Sequence, residues 1–120
     1  VPLLLCPAWF IVSELGVKWD DVCELQDQNP FCDYLFEITS RCRELAGAPH
    51  WWTRTIWDVA APAILDDPSC AEIEVIPTPI FTDARVYAFD STRHEMLYLR
   101  KIHRDIAIPN TWEHIKKARK

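Results

Sequence analysis

A chain of 120 residues, 49% hydrophobic and 26% charged, has the size and composition of one globular domain, which excludes both a disordered tail and a two-domain protein. Its net charge of −5 argues against a general nucleic-acid binder, and no apolar run reaches the ~18 residues of a membrane span.

Val1 to Cys6 is a continuous apolar run closed by Pro7, which predicts a strand buried on both faces, as in a parallel sheet. The chain opens at Val1 inside that strand without a methionine, so a fragment or processed piece is expected. Asp20 or Asp21 is expected to cap a short helix, with Glu24 completing a capping box after Asp21. Asn29 and Pro30 make an N-cap and first-position pair. Cys32, Leu35, Phe36, Thr39, Cys42 and Leu45 then recur at helical spacing until Gly47, opposite a polar face of Asp33, Glu37, Arg41 and Glu44.

Pro49 to Trp52 reads as a loop. Asp58 is expected to cap a helix reaching about Leu65, with Pro62 at its fourth position. Ile73 to Ile76, Arg85 to Phe89 and Met96 to Ile102 read as strands. The last two are expected to pair as an antiparallel hairpin across a long turn. A closing helix is expected from about Thr111 to Lys120, its Lys116, Lys117, Arg119 and Lys120 complementing the helix dipole.

The five cysteines, Cys6, Cys23, Cys32, Cys42 and Cys70, are odd in number and show no two-residue spacing. Free, mostly buried thiols in a reducing, cytoplasmic compartment are expected. His50, His94, His103 and His114 have no metal-binding spacing. Cys6 and Ser13 lie in no nucleophile pattern. His103-Arg104-Asp105 with Asn110 matches the spacing of a protein-kinase catalytic loop, but the Gly-rich strand, strand lysine and Asp-Phe-Gly that give that loop its meaning are absent from the sequence.

The most informative stretch is Ile56-Trp57-Asp58-Val59-Ala60-Ala61, followed by Leu65-Asp66-Asp67-Pro68. It sets a carboxylate, an oxygen ligand suited to a hard cation, beside a large aromatic surface. With Val1-Pro2-Leu3-Leu4-Leu5-Cys6-Pro7, Ser13-x-Leu15, Asn29 through Asp33-Tyr34-Leu35, Thr78-Pro79-Ile80, Tyr87-Ala88-Phe89 and Arg104-Asp105, it resembles, in order, the C-terminal part of the inosine/uridine-preferring nucleoside hydrolases.

The resemblance implies an α/β fold: residues 1–120 as the C-terminal segment of a Rossmann-like nucleoside hydrolase domain, with a buried strand, helices and a late antiparallel hairpin. It implies hydrolysis of the N-glycosidic bond of ribonucleosides by a calcium-activated water in the complete enzyme, expected to be a homo-oligomer. Asp58 matches the family's late calcium ligand. Trp57 stands where many members carry a histidine acting on the leaving base, and an indole there implies purine stacking, since its N–H does not titrate in this range. Trp51 and Trp52 are candidates for a second wall. The family's Asp-x-Asp-x-Gly-x-Asp-Asp cluster, which supplies the other ligands and the general base, is absent, so this segment carries no catalytic residue and is expected to be inactive alone. The alternative is a non-catalytic ligand-binding or interaction protein of the same fold, in which Asp58 only caps its helix.

Overall fold

In the computed structural model, which describes residues 3–49 and 51–118, helices pack with a mixed sheet in a mixed α/β arrangement. The first strand, β1, is only Leu4–Leu5. Beyond it the chain turns, the amides of Ile11 and Val12 both donating to the Pro7 carbonyl. Both residues of β1 are half-buried, which corrects the expectation of a strand enclosed on both faces. Val1 and Pro2, where that strand was expected to begin, lie outside the described residues.

Strand β2 (Gly16–Lys18) runs directly into helix α1 (Trp19–Cys23). The cap position belongs to Lys18, not to Asp20 or Asp21. Asp21 is the third helical residue, and its carboxylate reaches back to accept the Lys18 amide over 2.8 Å. This is one half of a capping box, since a lysine side chain has no oxygen to return the bond.

Helix α2 (Pro30–Leu45) begins as predicted: the Asn29 side chain accepts the amides of Phe31 and Cys32, and Pro30 fills the first position. Beyond its end Gly47 takes a left-handed φ of 58°, which costs glycine little. The buried face is shorter than the spacing implied. Cys32 is buried and Leu35 and Phe36 pack on the core, but Cys42 and Leu45 are exposed.

Strand β3 (Thr53–Thr55) pairs antiparallel with β2, Val17 opposite Arg54. The Thr53 methyl occupies the space beside Gly16, where an added β-carbon would lie 2.9 Å from Thr53 Cγ2. Residues 49–52 form the expected loop, whereas the strand after it leaves no mark in the sequence, because Thr-Arg-Thr is too short to display a period. After it, a 3-10 turn at Trp57–Val59 feeds helix α3 (Ala60–Asp66), which buries Ala60, Ala63 and Ile64. Pro62 is the third residue of α3, inside the first turn, where no backbone N–H is needed.

Asp67 caps a short 3-10 turn, Pro68–Cys70, by accepting the Ser69 amide, and the chain enters β4 (Ala71–Pro77). Strands β5 (Ile80–Phe81) and β6 (Tyr87–Ala88) pair only with each other, as a small ribbon. Strand β7 (Glu95–Ile102) therefore does not pair with residues 85–89, correcting the expected hairpin. It pairs antiparallel with β4 from Ala71↔Ile102 to Pro77↔Glu95, with an irregularity between Glu72 and Ile73. Arg85, at φ 60°, and the Asp90-Thr92 turn end the intervening segment before it can supply so long a ladder. On its other side β7 pairs parallel with β1, giving the order β1-β7-β4.

Helix α4 (Arg104–Lys117) starts well before the expected Thr111 and contains Pro109, whose missing N–H removes one internal bond without ending the helix. The expected final residues, Arg119 and Lys120, lie outside the described residues. Helix α4 lays Ala107, Ile108 and Trp112 into the core, whose fully enclosed members include Leu15, Leu99 and Ile102. Each such large side chain contributes about 1.5–3 kcal/mol relative to exposure.

Candidate functional site

Asp58 is the middle residue of the 3-10 turn that introduces α3, and its side chain is exposed. The expected helix-capping role does not hold. The residues at the cap positions are Ile56 and Val59, neither of which has a side-chain oxygen. The carboxylate is thus presented to solvent beside Trp57, itself 41% exposed.

Trp57 faces Trp9, a residue distant in the chain. The Trp9 ring lies parallel to it, with 6.4 Å between centroids and an interplanar angle of 7°. Trp9 follows β1 in a turn and is 76% exposed. A sequence signal did exist, an aromatic in the loop after a strand, where ligand-binding loops often lie. It was indistinguishable from Phe10 beside it.

Trp51 and Trp52 part company. Trp51 is exposed, whereas Trp52 is half-buried and lines a separate cavity of about 240 Å³ with Val17, Val22, Leu35, Val59 and Trp112. Neither Trp57 nor Asp58 lines that cavity. The Trp52 amide and carbonyl serve the backbone, bonding Pro49 and Trp19.

The other candidates resolve into structural roles. His103 occupies the cap position of α4, with Arg104 and Asp105 in its first turn and Asn110 inside the helix, so the kinase-like spacing forms no catalytic loop. Asn110 donates to Asp67 over 3.0 Å. His103 lies 3.1 Å from Glu72 and His114 2.9 Å from Asp66. Burial pushes the Cys6 thiol up from its ordinary value, which keeps it protonated and a poor nucleophile. The Ser13 carbonyl accepts a hydrogen bond from Thr55 Oγ1. All five cysteines are free. Cys32 and Cys70 are buried and Cys6 half-buried, but Cys23 and Cys42 are exposed, which corrects the expectation of mostly buried thiols.

Among the described residues no three His, Cys, Asp or Glu side chains converge as a metal site. Calcium takes six to eight oxygens. Asp58 fits as one ligand, and these residues alone do not make the site. Also among the described residues, no helix is long and apolar enough to cross a membrane. In comparison with known proteins, no family model and no curated protein matches the chain.

Proposed function

We propose that the chain is the C-terminal segment of a nucleoside hydrolase-like N-ribohydrolase, Rossmann-like in its complete fold and leaning toward purine ribonucleosides. The observation that carries this reading is the adjacent exposure of the Trp57 indole and the Asp58 carboxylate on one short turn. A flat apolar face and a hard oxygen ligand meet there, the two chemistries a nucleoside's base and a cation-held sugar require.

In this reading Trp57 stacks on the base. It orients the base and does not protonate it, because an indole N–H is a donor that does not titrate in the working range. Asp58 offers one oxygen to calcium, whose other donors come from outside the described residues. A bound calcium would supply polarisation of water and orientation of the sugar hydroxyls. The catalytic base also comes from elsewhere, so the isolated segment is inactive. The alternative is a non-catalytic ligand-binding or interaction protein of the same fold; Asp58 makes no helix cap, which leaves its carboxylate available to a ligand.

The test is a longer version of the chain in which the upstream coding sequence supplies an aspartate cluster. Calcium-dependent release of base from inosine is expected. Asp58→Ala should abolish both turnover and tight calcium binding measured by calorimetry. A complete chain that neither binds calcium nor cleaves a nucleoside overturns the reading, and unchanged calcium affinity in Asp58→Ala removes the ligand role.

A further inference from the structure

We infer that the cavity between α1, α2, α4 and the β2-β3 pair is a separate ligand site that takes a small aryl carboxylic acid, its ring in the apolar interior and its carboxylate on Arg54 at the mouth. Neither Trp57 nor Asp58 lines this cavity, so the site is independent of the ribohydrolase reading.

The cavity follows from the residues that α2 turns inward. At helical spacing its inner face runs Cys32, Leu35, Thr39, and the last of these puts a small side chain where a filled core would carry a leucine. The other walls come from short elements, Val17 from β2 and Val22 from α1, with Trp112 and Ile115 from α4. About 240 Å³ is left unfilled. Protein interiors are close-packed, with few voids larger than a water molecule. A space of this size among mostly buried apolar side chains is therefore a departure that a ligand would repair.

Volume and lining set the body of that ligand. An apolar cavity of about 150 Å³ stays dry and takes a benzene ring, so about 240 Å³ admits one ring with a short side chain. The space falls below the ~300–1,000 Å³ of sites for drug-sized ligands, too small for a fused polycycle.

The polar groups set its head. Arg54 is the exposed residue among those lining the cavity, so it marks the mouth. It stands directly opposite Val17 across the β2-β3 pair, which puts both side chains on the cavity face. Arg100, Lys101, Arg104, Lys116 and Lys117 are each paired with a carboxylate, whereas Arg54 has no such partner among the described residues. Two further lining residues, Trp52 and Thr39, carry donors that find no acceptor among the described residues. Their counterparts elsewhere are satisfied: the Trp112 indole N–H donates to the Asp21 carbonyl and the Thr111 hydroxyl to the Ala107 carbonyl, each over 2.7 Å. Among the described residues no Asp or Glu lines the cavity. A cation and spare donors without an acid select an anionic acceptor, and the planar fork of a guanidinium matches a carboxylate. One cation balances one negative charge, which favours a carboxylate over a phosphate dianion. An amine would meet Arg54 as a like charge.

The experiment titrates phenylacetate, its neutral amide and phenethylamine into the 120-residue chain, with binding located by the NMR signals of the Trp52 and Trp112 indole N–H groups. Phenylacetate should saturate and shift both signals, phenylacetamide should bind about tenfold more weakly, and phenethylamine more weakly still. Arg54→Gln, a change at an exposed side chain, should weaken phenylacetate about tenfold and leave phenylacetamide unchanged. Arg54→Lys should retain part of the difference. Thr39→Leu should fill the cavity, blocking acid and amide alike without lowering the urea midpoint. Absence of saturable phenylacetate binding, or shifts that spare both indoles, overturns the site. Equal affinity for acid and amide, or an Arg54→Gln chain that binds the acid as before, overturns the carboxylate assignment. Phenylacetate binding that survives in a folded Thr39→Leu chain overturns the cavity as its location. The calcium-dependent assay of the longer chain judges the ribohydrolase reading separately, since neither substitution alters Trp57 or Asp58.

Discussion

Arg104 in the first turn of α4 is tied to Asp21 in α1, its Nη2 donating to the Asp21 carboxylate over 2.7 Å, while its Nε donates to the Gly16 carbonyl over 2.6 Å. Both side chains are less than a third exposed, at 30% and 28%. Asp21 also accepts the Lys18 amide, and its carbonyl accepts the Trp112 indole N–H over 2.7 Å. Two ends of the chain are joined through one residue.

Arg104→Ala should therefore destabilise the fold by about 1.5–3 kcal/mol, the range for hydrogen bonds to charged groups. Arg104→Lys should recover only part, because an ammonium lacks the fork that serves two acceptors in fixed directions. Urea unfolding followed by tryptophan fluorescence measures both. An unchanged midpoint in Arg104→Ala would mean the pair has no more net worth than an exposed surface ion pair.

Asn29 serves two helices at once. Its oxygen caps α2, and its Nδ2 donates to the carbonyls of Ile115 and Lys116 in the last turn of α4, each over 3.0 Å. Asn29→Ala should cost about 1–2 kcal/mol. Asn29→Asp keeps the capping oxygen but loses both donors and sets a negative charge against the carbonyl end of α4. It should lie below the unmodified chain in stability, which distinguishes the inter-helix clamp from a simple cap.

Acid should loosen the turn that leads into β4. Hydrogen bonding from the Ser69 side chain and amide, with a smaller contribution from Asn110, holds the Asp67 carboxyl below its ordinary value. A depressed folded value means the stabilisation is present above the unfolded value of about 3.9 and is lost as pH falls through the lower folded one. Carbon-detected NMR titration should find Asp67 titrating low, and Ser69→Ala should move it upward. A titration unaffected by Ser69→Ala would remove this cause.

The β5-β6 ribbon exposes Phe81 and, beyond its strands, Phe89, at 66% and 60%. Neither belongs to the core cluster. Phe81→Ser with Phe89→Ser should therefore change unfolding stability by no more than about 0.5 kcal/mol. It should reduce self-association in sedimentation velocity, because contiguous exposed apolar surface drives contact between copies. A large loss of stability would show that the ribbon packs on the body of the protein.

Helix α2 and its limits were legible from local chemistry. Asn29 needs only the next amides to act as a cap, proline at the first position has no N–H to lose, and Gly47 alone tolerates the left-handed turn cheaply. The existence of strands near residues 73–76 and 96–102 was legible for the same reason, since β-branched and apolar runs are local facts. Their pairing was not. Whether β7 joins β4 or the segment at 85–89 depends on which partner offers an unbroken register, and that is settled by residues far apart in sequence.

The same division runs through the candidate site. Trp57 and Asp58 were readable as neighbours because they are adjacent in the chain. The position of Asp58 inside a 3-10 turn and the pairing of Trp57 with Trp9 depended on how the turn after β1 packs beside the turn before α3. Residue order carries the short-range preferences of caps, turns and apolar periods. Contacts between segments distant in the chain arise only when the core closes, since each must outweigh the entropy of bringing its segments together.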